Sequence, residues 1–410
     1  MELRPGYKLT EVGVIPEEWD VKRLAELFEV TSSKRVFQSD WKSEGVPFYR
    51  ARELVVLGDT GSVDNELFIT QELYKTFTRS YGVPDTGDML VTGVGTLGKV
   101  YVVSGDHEFY FKDGNIIWFK IGGRVSPEFL RQLYLTPLIT KQISDNSAGT
   151  TVGTYTIINA KKTVIPFPPL PEQSAIATAL ENVDALLSGL DRLIAKKQGI
   201  KQAAMQQLLT GKKRLPDFQG EWEMKRVAEL GEVVTGGTPR TDVKVFWGDG
   251  YPWITPTDIT NHRDISLSER KLTQKGLGEI RALSANSVLV TCIASIGKNA
   301  VLRTIGGCNQ QINAVIPNTN SSVDYLYYMF SASKQYLLAN AGTTATSIVS
   351  KSEFKQLIFK VPAYTEQIAI AEVLSDMDSE LIALEHRRDK TKLLKQAMMQ
   401  ELLTGRIRLV

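Results

Sequence analysis

Apolar residues recur at a four-three spacing along two long stretches of the chain. In the first, Ile176, Leu180, Val183, Leu187, Leu190 and Ile194 follow a 4-3-4-3-4 pattern; in the second, Ile370, Leu374, Met377, Leu381 and Leu384 fall at the same phase. Such a stripe is the seam of a coiled coil, so each stretch is predicted to be a long helix that needs a helical partner. The seam then slips and resumes at Ile200, Ala204 and Leu208, mirrored by Leu394, Met398 and Leu402. Pro171 suits a first turn, where its missing N–H costs nothing, and Thr365 is a candidate N-cap. Gly211 and Gly405 each follow Leu-Leu-Thr and should close the helices, with Lys212, Lys213, Arg214, Arg406 and Arg408 complementing the negative pole just beyond. A helix from Glu172 to Thr210 would run roughly 58 Å at ~1.5 Å per residue.

The two stretches also resemble each other. Residues 171–215 align without a gap to 365–409, with nearly half of the positions identical. The duplication continues outside them. WDVKRLAEL (19–27) answers WEMKRVAEL (222–230), GVPFYRARELV (45–55) answers GYPWITPTDIT (250–260), and DMLVTGVGTLGKVYVV (88–103) answers SVLVTCIASIGKNAVL (287–302). SAGTT (147–151) answers NAGTT (340–344). Alternating β-branched runs predict strands at Val100–Val103 and Ser287–Val290, and short helices are expected at Val21–Glu29, Pro127–Tyr134 and Val323–Ala332. The expected fold is therefore α+β: two similar mixed α/β domains at 1–165 and 216–360, with long helices in 166–215 and 361–410, related by a pseudo-two-fold internal repeat. A chain with two such halves suggests a partner that is itself two-fold, of which duplex DNA is the commonest.

Charge within the helices bears on their direction. Glu172, Glu181, Asp184 and Asp191 lead the first and Glu366, Glu372, Asp376 and Asp378 the second; Lys196, Lys197 and Lys201, and Arg387, Arg388 and Lys395, come later. Packed antiparallel, the acidic half of one meets the basic half of the other. The same gradient would complement each helix's own dipole, but an unpartnered apolar seam favours the antiparallel coiled coil. The N-terminal segment Lys8–Trp19 is expected to supply, beside the second helix, the piece that Pro216–Trp222 supplies beside the first.

Composition narrows the chemistry. The 410 residues are enough for two or three domains, and 42 % apolar with 23 % charged residues is ordinary for a globular protein. Two cysteines and three scattered histidines offer neither a disulfide framework nor a metal site. With no long apolar run there is no expected membrane span or signal peptide, and the cytoplasm is the expected compartment. A net charge of +2 means that phosphate attraction alone should not hold DNA tightly.

Gly93–Lys99 (GVGTLGK) approximates a phosphate-cradling loop. That chemistry requires a helix to begin at the lysine and a hydroxyl to follow it; here a strand sequence follows, and the second copy, CIASIGK (292–298), lacks two of the three glycines. Both copies read better as a Gly-Lys turn between strands. Phe167-Pro168-Pro169-Leu170 lacks the polar and aromatic members of a methyltransferase motif, and no catalytic residues, cofactor or metal are expected. The polar loops hold what suits base edges or phosphates: Lys34, Arg35, Arg50, Arg52, Lys99, Thr150 and Thr151 in the first half, and Arg240, Thr257, Asn261, His262, Arg263, Lys298, Gln310, Gln311, Thr343 and Thr344 in the second. Each could equally be a solvated or turn-stabilising side chain.

TGGTPRT (235–241), GDGYPWITPTDI (248–259), CNQQINAVIP (308–317), NAGTTATSIVSKSEFKQL (340–357) and the twice-occurring Glu-Gln…Leu-Leu-Thr-Gly together resemble the specificity subunit of Type I restriction–modification enzymes. The resemblance runs through both halves. It implies two target-recognition domains, each reading one half of a bipartite asymmetric site in double-stranded DNA, and helices that set the spacer and dock two modification (methyltransferase) subunits. Catalysis would lie in those subunits and in restriction subunits. The rival from another class is a scaffold that assembles protein partners through its coiled coil.

Overall fold

The computed structural model describes residues 4–105, 107–147, 153–342 and 347–409. The chain forms two compact units, one from Met1–Leu190 with Arg387–Val410 and one from Asp191–His386. Each holds a main antiparallel sheet, a small side sheet, short helices and a pair of long-helix segments.

In the first unit the main sheet runs Glu29–Thr31, Ile116–Lys120, Met89–Thr92, Val100–Val102. Its two central strands are buried on both faces; Met89, Leu90, Val91 and Phe119 are fully enclosed, as expected of continuous apolar runs. The small sheet pairs Val46–Tyr49 with Phe68–Ile69 and, in parallel, with Tyr110–Phe111. The second unit repeats the plan. Gly231–Thr235, Ile312–Pro317, Ser287–Thr291 and Asn299–Leu302 form the main sheet, extended by Asp264–Ile265. Trp247–Ile254, Lys271–Leu272 and Gly307–Cys308 form the small one.

The expected helices Pro127–Tyr134 and Val323–Ala332 form with Ser126 and Ser322 as their N-caps. The expected helix at Val21–Glu29 does not. Asp20–Arg23 is a strand paired with Val164–Phe167, Leu24–Leu27 is a single helical turn, and Glu29–Thr31 is an edge strand of the main sheet. Nine residues cannot establish a period strongly enough to resist a neighbouring strand that offers backbone partners.

The long helices are Leu170–Leu208 and Tyr364–Leu402. Thr365 is consequently inside the second helix rather than its cap. Within the first unit, Ile176, Ala177 and Leu180 join one core with Leu402 and Leu403, and further along Asp184 pairs with Lys395 at 2.7 Å. The partner number falls as the residue number rises, so the segments are antiparallel. The second unit does likewise: Leu208 and Leu209 share a core with Ile370, Ala371 and Leu374, while Lys201 pairs with Asp378 and Lys197 with Glu380.

Of the expected seam, Ile176, Leu180, Leu190, Ile370, Leu374 and Leu381 are buried, whereas Val183, Leu187, Met377 and Leu384 are only half-buried. Two helices facing each other cover a narrow stripe, so positions at its margin stay half-buried; exposure is lowest, at 0–1 %, where the stripe also joins a domain core, as at Ile176, Leu180, Ile370 and Leu374. Ile200 and Leu394, in phase with the resumed seam, are 45 % and 56 % exposed. Gly211 and Gly405 do end the helices, with φ of +68° and +70°. At Gly405 a Cβ would also stand 2.5 Å from Pro16 Cδ, so the terminus could not pack as it does with any other residue.

Candidate nucleic-acid interface

The repeated Glu-Gln that opens each long helix is a structural lock. Arg408 donates two hydrogen bonds to Glu172, at 2.6 and 2.9 Å, and the Trp19 indole donates a third at 2.9 Å. In the second unit Arg214 donates to Glu366 at 2.5 and 2.6 Å and Trp222 at 3.2 Å. These arginines therefore engage the start of the opposite helix rather than the terminus of their own. Tyr7 donates to the Gly405 carbonyl at 3.0 Å, so residues 7–19 stand beside the second helix's tail as 209–222 continue from the first. Gln173 and Gln367 accept from the Ser126 and Ser322 amides and donate to Pro168 and Pro362 carbonyls, clamping the neighbouring short helix to the long one. Burial would raise the Glu172 carboxyl, but the Arg408 and Trp19 hydrogen bonds outweigh it and hold it below its ordinary range.

The candidate polar residues divide into those held in buried networks and those accessible at the surface. Arg50 and Arg52 both reach the buried Glu53 and the exposed Glu66, and the Glu53 carboxylate also accepts from the Arg50 amide at the start of helix Ala51–Thr60. Burial pushes Glu53 up, yet these bonds leave it below its ordinary value. Arg263 is committed more deeply. It bridges Asp264, Asp324 and Ser375 on the second long helix, tying the 261–264 loop to that helix. Burial would lower its pKa, but the hydrogen bond to Asp264 and the charge of Asp324 raise it, so it is a permanent cation inside its own ion-pair network. Asn261 and His262 beside it are exposed and line a cleft of about 670 Å³ with Lys201, Tyr327 and Asp378.

Elsewhere the cations are accessible. Arg35 reaches Asp113 at 3.2 Å with 70 % of its side chain exposed, and Lys34 lies over the Tyr81 ring at 4.9 Å. Arg240 pairs with Asp242 at 2.7 Å on open surface. Thr257 meets the Thr255 hydroxyl. Gln310 accepts from Thr238, within the TGGTPRT segment, while Gln311 is paired with Asn309. Lys99 and Lys298 sit exposed at matching turns in which the Thr92 and Thr291 hydroxyls accept from the lysine amides at 3.0 Å. A strand follows each lysine, so neither turn is a nucleotide loop. Thr150, Thr151, Thr343 and Thr344 lie outside the described residues.

The small sheet of the second unit holds the segment that carries Arg240. Trp253 donates through its indole to Gly237 O and Trp247 to Arg240 O, pinning TGGTPRT against that sheet. The sequence reading missed Arg270 here: its guanidinium lies 3.6 Å from the Trp247 ring centroid. Among the described residues no group of three or more His, Cys, Asp or Glu side chains could hold a metal ion. Cys292 and Cys308 are buried, which pushes their thiols up to about 11 and about 12.

The model of the Type I restriction modification DNA specificity domain matches twice, over residues 16–202 and 219–395. The chain belongs to this family. Each specificity-domain match contains one main sheet, one small sheet and most of one long helix. Among its relatives, the MjaIX specificity subunit of Methanocaldococcus jannaschii is 31 % identical over 44 % of this chain and 42 % of that protein, so the alignment spans less than half of its length. The putative MjaX specificity subunit of the same organism is 24 % identical over 98 % of this chain and 97 % of that one. Among solved structures, the HsdS subunit from Thermoanaerobacter tengcongensis shares the fold with a TM-score of 0.54 at 19 % identity, covering 96 % of this chain and 98 % of that chain. The Type I system S subunit from M. genitalium does so with a TM-score of 0.58 at 14 % identity, over 98 % and 99 %.

Proposed function

We propose that this chain is the non-catalytic DNA-recognition subunit of a Type I restriction–modification complex. Each unit reads one half of a bipartite asymmetric site; the long helices set the spacer and dock methyltransferase subunits, and restriction subunits join that assembly. The observation that carries this reading is the double match to the specificity-domain family, one match per structural repeat. The globular parts of two linked readers are free to diverge while the parts that hold them stay alike, which is the distribution of similarity along this chain. No helix among the described residues is long and apolar enough to cross a membrane, and we place the complex in the cytoplasm with the DNA it acts on. With a net charge of +2 the chain alone is expected to bind DNA weakly, acquiring affinity from its partners.

Methylation-site sequencing of DNA exposed to the chain assembled with its modification subunits tests this. The expected result is one split sequence methylated on both sides of an undefined spacer. Inserting whole helical turns in both long helices should lengthen that spacer and leave the defined bases unchanged, since each added residue moves the chain ~1.5 Å and turns it by ~100°. Methylation without sequence preference, or an insertion that alters the defined bases, overturns the reading.

A further inference from the structure

The two small sheets share an aromatic frame, and one of the places where they differ exchanges a packed leucine for a stacked arginine. In the first unit Trp41 and Phe48 stand 6.2 Å apart, and the Phe48 amide donates to Leu67 O at 2.9 Å. In the second, Trp247 and Trp253 stand 5.0 Å apart, edge to face, and the Trp253 amide donates to Arg270 O at 3.2 Å. Strand registers agree, with Val46 opposite Ile69 and Tyr251 opposite Leu272. Leu67 and Arg270 therefore occupy the same place. Leu67 packs into the apolar cluster of its unit; Arg270 lies on the Trp247 ring at 3.6 Å and within 5.3 Å of Trp253.

Two properties meet at this arginine. Its residue is exposed, and among the described residues its guanidinium has no carboxylate or hydrogen-bond partner, whereas Arg263, Arg303 and Arg214 of the same unit are tied into ion pairs. It is also held: stacking on an indole fixes the plane of the guanidinium and leaves its in-plane N–H groups pointing away from the ring. A planar donor fork whose orientation is already set loses little further entropy on meeting a planar pair of acceptors. One accessible candidate stands beside it, since Trp247 holds Arg240 O, and Trp253 holds Gly237 O of the same segment. The frame is duplicated and the cation is not. A residue needed to build the small sheet would recur in both copies, while one that distinguishes two different half-sites would not.

We propose that Arg270 reads a guanine in the half-site of the second unit, donating from its stacked guanidinium to the two major-groove acceptors of that base. This rests on the DNA-recognition function proposed above. The first unit, with Leu67 at that place, makes no equivalent contact.

The test uses the full chain assembled with its modification subunits. In Arg270→Lys, which keeps the positive charge but not the fork, methylation mapping should show one position of one half-site relaxed from guanine, with the other half-site and the spacer unchanged. Affinity for the intact site should fall roughly 5- to 150-fold, the range of a lost bidentate base contact. Arg270→Met, which keeps aliphatic cover on Trp247, should relax the same position, and a melting temperature equal to the parent's separates this from a folding defect. Wild-type selectivity in both variants overturns the proposal, as does a lysine variant that retains selectivity while methionine weakens binding to all sequences, which is the behaviour of a phosphate contact. If the parent complex itself methylates without sequence preference, the recognition function fails, and that outcome is distinct from either variant result.

Discussion

Arg408 and Glu172 are 236 residues apart in sequence and joined by two hydrogen bonds in space, with the Trp19 indole on the same carboxylate. Arg214, Glu366 and Trp222 repeat the arrangement. Glu172→Gln should destabilise the first unit by about 3 kcal/mol, the lower end for breaking a buried pair, because Arg408 keeps 20 % side-chain exposure and some hydration. Urea denaturation of parent and variant gives the difference. The carboxyl's pKa is depressed on folding, so its contribution is present above the unfolded value near 4.5 and is lost as pH falls through the lower folded value. The gap between parent and variant should close in that acid window and persist at neutral pH.

Leu180 is fully buried between the first long helix and its domain, while Leu187, one heptad on, is half-buried. Leu180→Ala should cost about 2–5 kcal/mol, the range for a truncated core leucine. Leu187→Ala should cost clearly less. Equal melting points for the two variants would show that burial along the seam is uniform.

Ala294 holds φ of +60° at the turn where the first copy has Gly95 at +78°. A residue with a Cβ pays about 1–2 kcal/mol there, and glycine's greater unfolded-state freedom offsets roughly 0.5–1 of that. Ala294→Gly should therefore raise the melting temperature slightly, and Gly95→Ala should lower it. Opposite signs in calorimetry are the expected result.

Lys99 and Lys298 project from equivalent turns and carry no ion pair among the described residues. As phosphate contacts, each should on replacement by alanine weaken DNA binding by the assembled complex for all sequences alike. The slope of affinity against salt should fall by about one per lysine. A change confined to one base position would instead make the residue a base reader.

The long helices were legible because a heptad pattern sustained over many turns suits little besides a helix that packs against another. The repeat was legible because Trp19, Trp222 and the Glu-Gln pairs survive in both copies. The role of those pairs was not. A glutamate in the first turn of a helix reads as a partner for the dipole, and nothing local shows that Glu172 is buried under Arg408. Ile200 and Leu394 mislead in the opposite direction, since phase predicts which face a residue occupies but not whether anything covers it. Arg270 escaped because its stack on Trp247 joins residues separated by a loop and a strand pairing, with no motif at either end. The Val21–Glu29 segment misleads because its helical apolar spacing lasts only nine residues, and strand partners on either side of Leu24–Leu27 override it.

The two locks also differ in the order in which synthesis delivers their parts. The second unit is one continuous stretch, 191–386, and holds both sides of its lock once Glu366 has emerged. The first unit begins earlier but must wait for Arg408, with the whole of the other unit made in between. Domains made on a ribosome ordinarily mature from the N-terminus onward; here the unit that begins at residue 191 has all its residues by residue 386, while the unit that holds residues 1–190 is not complete until Arg408 has been added.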